Sequence, residues 1–222
     1  MISIYFSNID DAFKAVSYDL CLNRLPLNMS EGIRRFYQET DRKLGLLGKM
    51  LLTFQLHNYK LLEILSLSNI QYNEYGKPSF FHSFDFNISH SGRIAVCAVC
   101  IEGSIGIDIE EVKEVNLEEY NQQFSSNEWK IITKDKDPTS KFFEFWTRKE
   151  ALVKAVGLGI SILHEIEVIH DIVIYNNQTY KIETIFINDK YKASIASSGN
   201  EKKIKIEEIF FDNISNIVEN YK

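Results

Sequence analysis

A chain of 222 residues is long for one small core and suits one large domain or two compact halves. Its 45% hydrophobic content is ordinary for a folded soluble protein and argues against disorder. With 25 basic against 31 acidic residues, the net charge is −6. No overall basic field draws the protein to nucleic acid or an anionic membrane, so any anion site must be local.

The opening MISIYFSNIDD lacks a basic n-region and a cleavage pattern, and reads as a first strand rather than a secretory signal. Asp10 or Asp11 is placed to cap a short helix, and Ser30 to begin another that runs into residues 33–37. Thr40 and Asp41 precede a longer helical pattern, with Leu44, Leu47, Leu51 and Phe54 on one stripe at spacings of three and four. Tyr75-Gly76-Lys77-Pro78 is a turn, because glycine permits positive φ and proline fixes its own.

Residues 84–88 and 94–101 read as strands flanking a polar turn, Ser89-His90-Ser91-Gly92. The second of these is the longest run without polar side chains, too short to span a bilayer. Three cysteines are an odd count with no framework spacing. Cys97 and Cys100, three apart on a strand, point to opposite faces, which disfavours a zinc or redox pair and suggests small core residues. A reduced, soluble, cytoplasmic protein is expected.

Residues 105–112 form a third strand, and 117–124 and 127–132 short helices. Residues 134–138 make a solvated loop, and 141–156 a strong helix ended by Gly157-Leu158-Gly159. Thereafter 166–169, 172–175, 180–187 and 191–196 alternate as antiparallel strands. A faint internal echo links RKLGLLGK, from Arg42, to RKEALVK, from Arg148, about half a chain apart. It predicts an α+β protein of two similar halves, 1–104 and 105–222, each a helix on a small antiparallel sheet, with a ligand cleft between them.

Strand periodicity puts Ile105, Ile107 and Ile109 on one face and Gly106, Asp108 and Glu110 on the other. Neighbouring carboxylates repel unless a cation lies between them, and their spacing suits a hard divalent ion with oxygen ligands. Gly106 leaves room for something to approach the backbone. For Asp108 and Glu110 alone, a half-exposed amphipathic strand is the more ordinary reading. On the helix 142–156, Glu150 and Lys154 share a face with Lys149 beside them. As an isolated surface pair they are worth only about 0.3–0.5 kcal/mol. In combination, Glu150 completes a metal site and Lys154 reaches a phosphate oxygen.

The hydroxyls, imidazole and backbone N–H groups of Ser89–Gly92 suit an anion cradle, although a lone histidine or a turn lysine such as Lys77 is by itself unremarked. Arg34, Arg35, Arg42, Lys43 and Lys49 are mostly the wet side of two helices, with room for one more phosphate contact.

Taken in order, EYGKP (74–78), FNISHSG (86–92), GIDIE (106–110) and FWTRKEALVKAVGLGIS (145–161) resemble the Sfp-type 4′-phosphopantetheinyl transferases. RRFYQETDRKLGLLGKML (34–51) resembles that family's N-terminal half, so the likeness runs from Met1 to about Ala196. It implies a pseudo-twofold α+β fold and transfer of the phosphopantetheine arm of coenzyme A to a serine of an apo acyl, peptidyl or polyketide carrier protein. Adenosine 3′,5′-bisphosphate is the other product.

The resemblance also implies Mg²⁺ ligands at Asp108, Glu110 and Glu150, with Glu150 as base and Lys154 on the diphosphate and leaving group. Ser89 and His90 fall on phosphate contacts, His90 chiefly with the 3′-phosphate. Lys77 and Pro78 fall beside the adenine, and Glu128 on an acidic position touching the metal or its water. Carrier docking is expected around residues 112–124. A monomer is expected, with no nucleic-acid or membrane partner. The segment 27–33 lacks the family's lysines, and Leu44-Gly45 replaces a basic residue, so Arg42 and Lys43 are expected to take over part of the 3′-phosphate grip. A Mg²⁺-dependent diphosphate hydrolase and a non-catalytic coenzyme A-binding module share parts of this pattern. The intact Asp108, Glu110, Glu150 and Lys154 argue against the second.

Overall fold

A computed structural model of the chain describes residues 1–61, 65–80, 84–199 and 203–211. Strand β1 (Ile2–Asn8) leads into α1 (Ile9–Ala15). The cap of α1 is Asn8, whose Oδ1 accepts the Asp10 N–H at 2.8 Å. Asp10 and Asp11 instead fill the first turn, where a carboxylate complements the helix dipole. After α2 (Tyr18–Leu22), α3 (Leu27–Arg34) starts at Pro26 rather than at Ser30. Ser30 lies buried inside α3, its hydroxyl donating to Leu27 O. Helix α4 (Glu39–Asn58) buries Leu44, Leu47 and Leu51, as its stripe predicts, and Phe54 in part.

A short ribbon of β2 (Gln71–Tyr72) and β3 (Pro78–Ser79) closes around the predicted turn. Strands β4 (Asp85–Ser91) and β5 (Ile94–Cys100) then pair as a hairpin. The expected polar turn is shorter than the sequence suggests. Pairing continues through Ser89↔Val96, His90↔Ala95 and Ser91↔Ile94, leaving only Gly92 and Arg93 to reverse the chain. Ser89 and His90 therefore sit on a strand and point to opposite faces.

The second sheet begins with β6 (Ile105–Glu111). A 3-10 segment at Leu117–Gln123 precedes α5 (Ser126–Lys134) and α6 (Pro138–Val156). The sheet is completed by β7 (Ile172–Tyr175), β8 (Gln178–Ile185) and β9 (Tyr191–Ser197) in the order β6-β9-β8-β7. Asn176 and Asn177, both at positive φ, make the two-residue β7–β8 turn. Residues 166–169 are not the expected strand but an irregular strap. The last described strand, β10 (Ile204–Glu208), runs back to pair parallel with β1, giving a first sheet of order β10-β1-β5-β4. It thus leaves the half to which the division at 104/105 assigns it.

The layers follow from which face of each strand is apolar. Tyr5, Ala95, Cys97 and Val99 pack under Leu47 and Leu51 of α4. The opposite face of that sheet, with Ile4, Val96 and Ala98, meets Ile105, Ile107, Ile109 and Ile195 of the second sheet. The far face of the second sheet, with Ile182 and Ala196, packs on Ala151, Leu152 and Ala155 of α6. The result is an α+β stack of helix, sheet, sheet and helix. Cys97 and Cys100 fall in different clusters, on opposite faces as the alternation predicts, and Cys21, Cys97 and Cys100 are free and buried. Among the described residues, no helix is long and apolar enough to cross a membrane.

Candidate active site

Strand β6 lies at the edge of its sheet, between α6 on one face and the first sheet on the other. What approaches the backbone at Gly106 is α6 itself. A Cβ there would collide with the carbonyl of Ala151 and the amide of Ala155. This contact seats the helix so that Asp108, on the same face of β6, meets Lys154. The helix is fixed at both ends. Asp137 caps it ahead of Pro138, and Gly157 closes it in the left-handed conformation.

Lys154 Nζ donates to Asp108 Oδ1 at 2.6 Å and to Ser89 Oγ at 3.1 Å. The Ser89 hydroxyl in turn donates to the same Asp108 oxygen at 2.9 Å. The other oxygen, Asp108 Oδ2, is buried without a hydrogen-bond partner. Ser91 Oγ donates to Glu110 Oε2 at 2.7 Å. Burial pushes the Glu110 carboxyl above the usual range, and the Asp108 charge adds to the shift. Burial raises Glu150 as well; Lys154 opposes that rise, while Asp108 and Glu110 reinforce it. Ser89, Asp108, Glu110, Glu150 and Lys154 thus form one electrostatically coupled cluster.

The cluster's chemistry fits a hard divalent cation. Its donors are all oxygens, one buried carboxylate oxygen has no partner, and two carboxyls are strained toward protonation. Among the described residues, no three His, Cys, Asp or Glu side chains form a ready-made metal cage. Any cation held here would also need substrate oxygens or water to complete its shell, as is usual for magnesium.

Three sequence expectations change. The Lys77 side chain is only 14% exposed. It donates to Asp85 Oδ2 (2.8 Å), Ile105 O (3.3 Å) and Ala155 O (3.1 Å). An ammonium has three protons, so Lys77 is saturated by protein and ties β4, β6 and the end of α6 together. Pro78 is half-buried in β3 beside it. Glu128 is likewise committed. Its Oε2 accepts Ser125 N–H (2.8 Å) and pairs with Lys149 (2.9 Å), and its Oε1 accepts Val168 N–H (2.8 Å). Both oxygens are thus engaged by protein, in a side chain with no exposure to solvent.

Lys149, expected beside Glu150 and Lys154, is fully buried. It donates to Leu163 O at 2.8 Å and to Ile166 O, and burial lowers its pKa. Arg148 Nε donates to Val168 O at 2.9 Å. Together these two basic side chains hold the strap at 166–169. The one signal available in sequence was the capping box, Ser125-x-x-Glu128.

His90 reaches solvent on the far side of β4 from Ser89. The protein around it lowers its pKa, Lys154 lowers it further, and Asp41 and Asp108 pull the other way. Asp41 stands in the first turn of α4. Arg42, on that turn, directs Nη1 to the carbonyls of Phe36 (2.8 Å) and Tyr37 (3.0 Å), while Lys43 pairs with Glu39 at 2.6 Å.

Two family models match the chain. One, described as the 4′-phosphopantetheinyl transferase superfamily, matches residues 104–207, and one described as 4′-phosphopantetheinyl transferase, N-terminal, matches residues 14–102. The chain is 31% identical over 168 residues to the 4′-phosphopantetheinyl transferase gsp of Aneurinibacillus migulanus, covering 73% of this chain and 68% of the relative. It is 39% identical over 138 residues to the 4′-phosphopantetheinyl transferase Sfp of Bacillus subtilis (strain 168), covering 60% of each chain. A further 4′-phosphopantetheinyl transferase of Bacillus subtilis is 34% identical over 163 residues, with 72% of each chain covered.

Proposed function

The chain belongs to the 4′-phosphopantetheinyl transferases, enzymes that move phosphopantetheine onto carrier proteins, and from that premise we propose how its central cluster carries out the transfer. The donor is coenzyme A and the acceptor is a serine of an apo carrier protein. The serine oxygen attacks the phosphorus that bears the pantetheine arm. A new P–O bond forms there, and the bond to the departing adenosine 3′,5′-bisphosphate breaks.

Asp108, Glu110 and Glu150 would hold Mg²⁺, which when bound neutralises diphosphate charge that repels a nucleophile. Glu150 takes the serine proton. Its raised pKa brings a carboxylate closer to the range of an effective base. Lys154 supplies positive charge to the leaving phosphate, released from its resting bonds to Asp108 and Ser89. Ser89, sharing that lysine, orients a phosphate oxygen. His90, whose pKa its surroundings lower, would gain a proton against the 3′-phosphate, with Arg42 and Lys43 of α4 sharing that grip.

The observation that carries this reading is the shared hydrogen-bonded knot of Ser89, Asp108 and Lys154, with Asp108 Oδ2 buried and unpartnered beside it. Both sheets that flank the knot come from one chain, so the site needs no residue from a second copy, in keeping with the monomer expected. The free, buried cysteines suit a reducing cytoplasm.

Chromatography of coenzyme A incubated with the protein and Mg²⁺, with and without apo carrier, tests the proposal. Adenosine 3′,5′-bisphosphate should form only when carrier is present, in amounts matching the carrier modified. Release without carrier would instead identify a hydrolase, and intact coenzyme in both mixtures a binding module.

A further inference from the structure

Side chains of β4 occupy the open edge of β6. Asp85 Oδ2 accepts the Ile105 N–H at 2.8 Å, Asn87 Oδ1 that of Ile107 at 3.0 Å, and Ser91 Oγ that of Glu111 at 3.0 Å. The alternation is every second residue on both strands. Side-chain oxygens thus stand where the carbonyls of a neighbouring strand would stand. At the remaining rung, Ser89 turns its hydroxyl to Asp108.

Ser91 differs from the other rungs in serving backbone and carboxylate at once. Its oxygen accepts from Glu111 N–H while its proton goes to Glu110 Oε2 at 2.7 Å. A hydroxyl has a single proton, so the incoming N–H fixes the direction in which that proton is given. The strand end is also wedged in place. Gly92 has φ +56°, and a Cβ there would strike Tyr191 Oη and the Glu111 carboxylate. Arg93 N–H donates to Tyr191 Oη at 3.0 Å. The β4–β5 turn therefore abuts the second sheet, and Ser91 cannot drift from Glu110 without moving both.

We propose that Ser91 is a positioning residue of the transfer site, holding the Glu110 carboxylate in place while it locks the edge of β6 to the first sheet. The proposal rests on the reading of Asp108, Glu110 and Glu150 as ligands for a divalent cation. A hydrogen-bonded partner that orients a ligating carboxylate commonly changes metal affinity by about 10- to 100-fold when removed.

The test is Mn²⁺ binding to the full chain, followed by electron paramagnetic resonance, in wild type, Ser91→Ala, Ser91→Thr and Glu110→Gln, with a thermal melt of each. Ser91→Ala should bind Mn²⁺ about tenfold more weakly. It should also melt somewhat below wild type, because the Glu111 N–H loses its acceptor. Ser91→Thr, which keeps the hydroxyl, should recover most of both. Two results overturn the inference and leave the ligand reading standing. One is wild-type affinity in Ser91→Ala while Glu110→Gln is impaired. The other is equal loss in Ser91→Ala and Ser91→Thr with both melting like wild type. Mn²⁺ binding that is absent in wild type, or unaffected in Glu110→Gln, overturns the ligand reading and the inference with it.

Discussion

The Glu150 carboxylate is held above its ordinary pKa by burial and by two neighbouring carboxylates, against the pull of Lys154. A raised folded pKa contributes stability below the ordinary carboxylate range and loses it as pH rises through the folded value. At neutral pH without metal, the charged site therefore destabilises the fold. Glu150→Gln should raise the melting temperature in EDTA at pH 7 while lowering the transfer rate by about 10²-fold or more. Scanning calorimetry paired with transfer assays measures both. His90 has the opposite sign, since its pKa is lowered first by the surrounding protein. Its contribution is present above the ordinary histidine value and lost as pH falls through the folded one. Coenzyme binding should then take up a proton near neutral pH. Calorimetric titration in two buffers of different ionisation heat should show that uptake in wild type and not in His90→Gln. At this scale Asp108, Glu110, Glu150 and Lys154 were legible, because periods of 2 and 3.6 decide which side chains share a face. The unpartnered Asp108 oxygen was not, because it depends on where Lys154 comes to rest.

At the scale of elements, the decisive contact is α6 lying directly on β6 at Gly106. Gly106→Ala should prevent that seating, giving a large fall in melting temperature and loss of transfer together. Lys149 lies on the same helix, but its buried pair with Glu128 of α5 serves the strap at 166–169. Removing one partner of such a pair leaves a buried charge and costs about 3–5 kcal/mol. Urea denaturation of Glu128→Gln should show a loss of that order, while Mn²⁺ affinity stays at the wild-type value. Weakened metal binding without destabilisation would restore Glu128 to the metal site. The helical stripe told which residues lie beside Glu150. It did not tell that a strap and α5 would cover Lys149, since only the tertiary arrangement decides which polar face is wet. Strand length was misread at Ser89–Ser91 for a related reason. Polar residues suggested a turn, but the ladder with β5 continues beneath them.

For the whole molecule, the echo between Arg42–Lys49 and Arg148–Lys154 fits what the fold displays, a long helix on the outer face of each four-stranded sheet. The sheets meet through isoleucine, valine and alanine faces that strand alternation makes readable. The return of β10 to β1 was not readable, because a parallel pairing across most of the chain leaves no local pattern. That return ties the end of the described chain to its beginning. The side chains of β4 on β6 tie the two sheets across the site. The groups of the candidate site thus come from both sheets and from α6, within one unit. The most direct measurement is the intact mass of an apo carrier protein after incubation with this chain, coenzyme A and Mg²⁺. The carrier should gain one phosphopantetheine arm with wild type, and none with EDTA or with Glu150→Gln. A carrier that keeps its apo mass while wild type cleaves the coenzyme, or full modification by Glu150→Gln, would contradict the account.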